Sequence, residues 1–132
     1  MNSAESNFSA WLRKADHDLL NIENNLAAKE IPWDTICFHA QQVVEKVLKA
    51  FLVYHGSDLP KTHDLIALLA KCVEHENTLA PLETDCRKLT SYGVAARYPD
   101  DLFEPNEEDG RDVVAAAYRV RAKILTLLPT DL

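Results

Sequence analysis

The chain has 132 residues, of which 47% are hydrophobic, and its formal net charge is −7. This length and apolar content predict a single domain over residues 1–132 with a sizeable core, and they exclude a disordered chain. The negative charge excludes a general DNA- or RNA-coating protein, because duplex affinity depends mostly on phosphate neutralisation. With only three glycines, the composition favours helices over a turn-rich β fold.

Cellular location is indicated by the cysteines and by the lack of targeting patterns. Cys37, Cys72 and Cys86 are odd in number and lack tight paired spacing, which predicts free thiols in a reducing compartment. No basic region followed by an apolar run opens the sequence, so no signal peptide is expected. No apolar run approaches the roughly 20 residues of a membrane span. We therefore expect a cytoplasmic location.

Two long helices are predicted in the first half of the chain. Apolar residues recur at steps of three and four from about residue 8 to about residue 28, which is typical of an amphipathic helix. Pro32 interrupts the pattern, and Asp34 is the predicted N-cap of the second helix. That helix runs to about His55, a length of roughly 33 Å, and Gly56 fits the left-handed position that ends it.

Three further helices are predicted in the second half. Thr62 is the expected N-cap of the third, and Pro81 lies in the first turn of a fourth that ends near Ala96. Asn106, with Asp109 three residues later, resembles the capping pair that begins a last helix. No segment reads as a strand. The pattern predicts an all-α, up-and-down bundle of four long helices plus a shorter one.

A row of polar side chains follows one face of the second predicted helix. His39, Gln42, Lys46 and Lys49 are separated by steps of three and four, so they share that face. Two ammonium groups one turn apart can hold a phosphate, a glutamine amide can read a base edge, and an imidazole can donate to an oxygen. The structural alternative is that both lysines are solvated and paired with acidic neighbours, such as Glu45 or residues of another helix.

Lys61 and His63 flank the predicted start of the third helix. Exposed backbone N–H groups and the helix dipole favour an anion at such a position. The structural alternative is that Thr62 caps the helix, His63 packs locally and Asp64 stabilises the first turn.

Arg97 and Tyr98 follow the fourth predicted helix, and Pro99 favours an extended backbone at Tyr98. A guanidinium can fork onto a phosphate, and a phenol ring can stack on a base. The alternative is a buried ion pair, for example with Glu45, and a ring that packs to fix the loop.

Metal binding and nucleophilic catalysis find no support in the sequence. Cys37 and His39 point in different directions on a helix, and Cys72 with His75 supplies only two ligands, so no metal site is expected. The chain has no nucleophile elbow, no cysteine-protease signature and no glycine-rich phosphate loop. No catalytic residue and no cofactor are predicted.

Four segments in a fixed order carry a family resemblance. They are Ala40-Gln-Gln-Val-Val-Glu-Lys-Val-Leu-Lys-Ala50, Gly56, Thr62-His-Asp-Leu65 and Ala96-Arg-Tyr-Pro99. Together they resemble the HEPN domain, the "higher eukaryotes and prokaryotes nucleotide-binding" family. The resemblance implies an all-α bundle that usually dimerises and that binds nucleotides in some members. It also implies a minimal nucleotidyltransferase as the partner in a two-component, toxin–antitoxin-like pair.

One branch of the HEPN family consists of metal-independent ribonucleases, and this sequence departs from their pattern. Those enzymes carry an arginine, four to six residues and then a histidine near the start of the last helix. The last histidine here is His75, so no arginine of the last predicted helix has a histidine after it. Arg13 and His17 have only three residues between them and lie in the first helix. Nuclease activity by the family mechanism is therefore not expected.

The sequence thus predicts a non-catalytic module that binds a nucleotide or a nucleic acid. The resemblance implies a homodimer with a nucleotidyltransferase as its partner. The residues expected to take phosphate charge are Lys46, Lys49, Lys61 and Arg97. The residues expected to orient a base or sugar are His39, Gln42, His63 and Tyr98. The alternatives are a protein-interaction module without a ligand and a ribonuclease with an altered site.

Overall fold

The structure is a computed structural model that describes the backbone of residues 3–95 and 104–129 and the side chains of residues 8–91 and 104–129. It contains five α-helices and one 3₁₀ helix, and the described ranges contain no strand. The helices are α1 Ser3–Leu26, α2 Trp33–Tyr54, α3 Leu65–His75, the 3₁₀ helix Asn77–Leu82, α4 Glu83–Ala95 and α5 Glu107–Thr126. The predicted all-α bundle is confirmed.

The second helix, α2, is the central element of the bundle. It packs against α1, α3, α4 and α5, whereas α1 makes its extensive contacts with α2. Twelve of the 22 residues of α2 are buried, and two of these twelve, Gln41 and Glu45, are polar. Large side chains such as Leu48 and Phe51 are almost fully buried, each contributing about 1.5–3 kcal/mol. Because α2 is a core helix, its polar groups need partners inside the protein.

The predicted end of α2 is confirmed in detail. Gly56 has a φ of 69°, the left-handed conformation that glycine adopts without steric cost. Its N–H donates to the Val53 carbonyl at 3.0 Å, and the Ser57 N–H donates to the Leu52 carbonyl at 2.9 Å. These two bonds form a Schellman motif, which satisfies the last carbonyls of the helix and turns the chain toward α3.

The N-cap predicted for α2 is wrong. Pro32, and not Asp34, precedes the first helical residue, Trp33, and no side-chain hydrogen bond caps the helix. Asp34 lies within the first turn, where its carboxylate accepts the N–H of Thr35 at 2.8 Å. Proline fits here because it fixes its own φ and its carbonyl accepts the N–H of Ile36 at 3.0 Å.

The N-cap predicted for α3 is also wrong, by two residues. Asp64 is the N-cap, and its carboxylate accepts the Ile66 N–H at 2.9 Å. Thr62 instead accepts the Asp64 N–H at 3.0 Å through its hydroxyl. Both residue types can cap helices, and the extended backbone of Asp64 decides which one does.

The last two helices match the prediction with one difference. Pro81 lies in the 3₁₀ helix, so α4 begins at Glu83. The capping box at the start of α5 is confirmed, because Asn106 Oδ1 accepts the Asp109 N–H at 2.8 Å and Asp109 Oδ2 accepts the Asn106 N–H at 3.3 Å. The predicted end of α4 at Ala96 lies outside the described residues.

A close contact joins the start of α2 to the start of α5. Gly110 is buried against the indole of Trp33, and a Cβ atom at position 110 would lie 2.2 Å from Trp33 Cε3. The guanidinium of the next residue, Arg111, lies 5.3 Å from the centre of a Trp33 ring. The close packing against Trp33 therefore requires a glycine at position 110, although glycine normally weakens a helix.

We expect Gly110→Ala to destabilise the protein by about 1–3 kcal/mol, because overpacking exceeds the helix propensity that alanine adds. In a Trp33→Leu background the same substitution should be neutral or stabilising, since the ring that blocks the methyl group is gone. Thermal unfolding of the four proteins in this double-mutant cycle tests the contact. A higher melting temperature for Gly110→Ala alone would contradict it.

Candidate functional site

The predicted polar face of α2 lies beside residues of two other segments. We call the whole group the polar strip, and it consists of Asp18 from α1, His39, Gln41, Gln42, Glu45, Lys46 and Lys49 from α2, and His63 from the connector before α3. It is organised around two buried carboxylates, each of which binds one lysine and one histidine.

The first carboxylate belongs to Asp18, which is only 6% exposed. Its Oδ1 lies 2.8 Å from His39 Nδ1, and its Oδ2 accepts a hydrogen bond from the ammonium of Lys46. Both partners are partly buried. These contacts fasten α1 to α2, because the carboxylate comes from one helix and both of its partners come from the other.

The second carboxylate belongs to Glu45, which is only 4% exposed. Its Oε2 accepts from Lys49 Nζ at 3.0 Å and lies 2.9 Å from His63 Nδ1. Burial raises the pKa of this carboxyl, but hydrogen bonds and charge from His63 and Lys49 outweigh burial, so the pKa lies below its usual value. Glu45 is therefore an ionised group that fixes the connector against α2.

Two glutamines join these contacts into a network. Gln42 Nε2 donates to Gln41 Oε1 at 2.8 Å. Gln41 Nε2 lies 3.4 Å from the carbonyl of His63 and 3.5 Å from Glu45 Oε1. Among the described residues, no buried side-chain polar atom lacks a hydrogen-bond partner. The strip is thus preorganised, since each group is held by another before any ligand binds.

The carboxylates also determine which nitrogen of each imidazole stays available for a ligand. A neutral imidazole that donates from Nδ1 to a carboxylate has Nε2 as an acceptor. The side chain of His63 is 67% exposed, and that of His39 is partly buried. Each ring therefore offers one nitrogen for a further hydrogen bond.

The charges of the strip nearly cancel. Lys46 and Lys49 are paired with Asp18 and Glu45, so the formal charge of these four groups is zero. The ion pairs that the structural alternative requires are present. An ammonium group has three N–H donors, however, and a bond to a carboxylate uses only one of them. Phosphate binding by either lysine stays a prediction.

The connector around Lys61 differs from the helix-end site that the sequence suggested. The Asp64 carboxylate already caps α3, so the chain itself supplies the anion that the helix N-terminus favours. Lys61 is exposed, and none of the ion pairs in the described ranges involves it. Of the two predicted residues here, His63 joins the polar strip. Lys61 lies two residues away and offers a cation that no ion pair within the described ranges neutralises.

Arg97 and Tyr98 lie outside the described residues, as does the alternative pairing of Arg97 with Glu45. The two residues stay predictions.

Asp18, Gln41 and Trp11 are not among the site residues predicted from the sequence, and Glu45 was predicted only as a structural partner. A signal existed for Asp18, because it lies three residues after Ala15 and four before Ile22, both buried. A carboxylate in the register of an apolar stripe must find partners inside the protein. Gln41 and Glu45 lie four positions apart among the buried residues of α2 and follow the same rule.

The three cysteines are free and buried. In the described residues, no three histidine, cysteine, aspartate or glutamate side chains come together as metal ligands. Cys72 donates to the Leu48 carbonyl, whereas His75 stacks on His55 with ring centres 4.9 Å apart. Burial, with smaller effects from neighbouring acidic or thiol groups, raises the pKa of all three cysteines to about 12. The thiols are therefore protonated at neutral pH.

The fold and the strip together define a helical bundle whose central helix carries a preorganised polar surface. A family model of the HEPN domain matches residues 8–127. The chain therefore belongs to the HEPN family, a family associated with nucleotides and RNA. No similar protein was found among curated proteins. In the described residues, no helix is both long enough and apolar enough to cross a membrane.

The lowered pKa of Glu45 predicts how stability depends on pH. The unfolded chain binds the proton more tightly than the folded protein, so the contribution of Glu45 is complete above its ordinary pKa of 4.5 and is lost as pH falls through the lower folded value. We expect Glu45→Gln to flatten the acid side of the stability curve by at most about 1.4 kcal/mol per pH unit. Urea unfolding between about pH 3 and 6 measures this, with exposed Glu74→Gln as the control. Parallel curves for the wild type and Glu45→Gln would refute the assignment.

Proposed function

We propose that this HEPN domain is a non-catalytic module that binds a nucleotide or a short single-stranded RNA. The observation that carries the proposal is the polar strip, in which two buried carboxylates fix two lysines and two imidazoles on one surface. Fixed donors and acceptors lower the entropic cost of binding a small polar ligand. The family membership supports the same class of ligand.

Binding would use the hydrogen-bonding capacity that the internal contacts leave unused. Lys46 and Lys49 keep N–H donors for phosphate oxygens, and Lys61 adds a cation without an internal partner in the described ranges. His39, His63 and Gln42 would contact the base or sugar. Arg97 and Tyr98 complete the proposed set as a phosphate contact and a stacking ring.

Two features of the chain support a non-catalytic role. The ribonuclease pattern of the family needs a histidine in the last helix, and α5 contains none. The three thiols are held protonated by burial.

We further propose a homodimer in the cytoplasm that works with a minimal nucleotidyltransferase as a toxin–antitoxin-like pair. Exposed apolar side chains on α1 and α5, Leu20 and Tyr118, support a protein contact. The three cysteines are free and buried, which supports a reducing compartment. Co-purification of the chain with a nucleotidyltransferase encoded beside it tests the pairing, and separate elution of the two proteins would refute it.

A second candidate is an interaction module without a ligand, and the neutralised charges of the strip favour it. In that case the ion pairs of Asp18 and Glu45 serve only to hold the helices together. Ligand binding separates the two candidates directly.

We expect Lys61→Met to weaken binding of ATP, GTP or a short RNA about fivefold or more, because a charged contact to phosphate is lost without a change in the core. Isothermal titration calorimetry and thermal shift measure this, since a ligand of the folded state raises stability by RT ln(1 + [L]/Kd). Lys71→Met is the matched control, because Lys71 is an exposed lysine on α3. No heat and no thermal shift with any of these ligands would refute the binding function and leave the interaction module.

A further inference from the structure

We propose that a small pocket beside Trp11 holds the base of a nucleoside 5′-phosphate whose phosphate lies toward the polar strip. This indole pocket is lined by Ala10, Trp11 and Lys14 of α1, Val53 of α2 and Leu59 of the connector, and its volume is about 280 Å³. The inference rests on the proposed function and specifies its ligand. None of these five residues was part of the site predicted from the sequence.

The indole pocket adjoins the polar strip through a single lysine. Lys49 Nζ is bonded to Glu45 at 3.0 Å and also lies 5.3 Å from the centre of a Trp11 ring. Lys14 Nζ lies 5.4 Å from a ring of the same indole. Both ammonium groups therefore lie over the indole, and one of them is fixed by the buried carboxylate.

This combination of groups matches one ligand class. An indole face and the aliphatic side chains of Val53 and Leu59 suit a flat aromatic ring, and ammonium groups suit a phosphate attached to it. The volume lies just below the usual range for pockets that bind drug-sized molecules, which is enough for one base. A nucleoside 5′-phosphate, either free or at the 5′ end of an RNA, has this shape and charge.

The Lys14 ammonium lies over the indole, so a base can stack there only when this lysine moves away. The Lys14 side chain is exposed, so its ammonium can leave the ring at little cost and pair with the phosphate of the ligand. Lys49 is different, because its bond to Glu45 keeps it in place. The base thus stacks on Trp11 while the phosphate is held by one mobile and one fixed cation.

The chain has two tryptophans, which makes the pocket directly observable. In a Trp33→Phe background, Trp11 is the only indole, and base stacking should quench its fluorescence. We expect AMP to quench it and to bind more tightly than adenosine, which lacks the phosphate, and than ribose 5-phosphate, which lacks the base. An RNA trinucleotide with a 5′-phosphate, compared with AMP, shows whether the physiological source is an RNA end or a free nucleotide.

Two substitutions separate the contributions of the base and the phosphate. Trp11→Leu should weaken AMP binding about tenfold or more, whereas Trp11→Phe keeps a stacking ring and should retain most of the affinity. Lys14→Met should weaken AMP binding several-fold and leave adenosine binding unchanged, with Lys71→Met as the control. Lys14 is exposed, so its variant should fold normally.

The outcomes distinguish this inference from the proposed function. Calorimetric binding of AMP without quenching of Trp11, and with unchanged affinity in Lys14→Met, would overturn the indole pocket and leave nucleotide binding elsewhere on the domain. The absence of any calorimetric binding by AMP, ATP or RNA would overturn both proposals. Quenching that is lost in Trp11→Leu and weakened in Lys14→Met would support both.

Discussion

The burial of two carboxylates against the central helix is the constraint on which the rest of the structure depends. An unpaired carboxylate in this position would cost several kcal/mol, so Asp18 and Glu45 each require partners that compensate the charge. Lys46 and Lys49 supply them from α2 itself. The histidine partners then fix α1 and the connector to that helix, because His63 can reach Glu45 only if the connector folds back across α2. Residues that look like surface cations in the sequence are therefore part of the framework that holds the helices together.

The same constraint shapes what the surface can bind. Because the two lysines are compensated, the polar strip would hold the proposed phosphate through directed hydrogen bonds more than through net charge. The chain as a whole repels polyanions with its charge of −7. Preorganisation, in contrast, favours binding, since groups that are already fixed lose little entropy when a ligand binds. A small ligand that makes a few well-directed contacts suits this balance better than a duplex, whose affinity depends on neutralising many phosphates.

The fold could be predicted from the sequence where a single local pattern decides the outcome. Apolar periodicity located the long helices, the left-handed Gly56 ended α2, and the spacing of Asn106 and Asp109 gave the capping box. The helix starts near Pro32 and Thr62 were predicted wrongly because several residues nearby are competent caps. The residue that caps each helix is decided by the backbone conformation at the end of the preceding loop. That conformation is set by tertiary contacts.

The candidate site was predictable as a face of a helix but not as a charge distribution. Steps of three and four place His39 and Lys46 together, yet their shared partner Asp18 lies 28 residues before Lys46 on another helix. Sequence spacing therefore overestimates the charge available to a ligand, because it counts each cation and cannot count its partner. Trp11 was missed for a related reason, since an aromatic residue in an apolar stripe reads as core until the neighbouring helix places Lys49 beside its ring. With most of its charge compensated internally, such a surface gains little from each additional phosphate on a ligand. In the proposed complex, the base on Trp11 and a single phosphate would therefore supply most of the affinity.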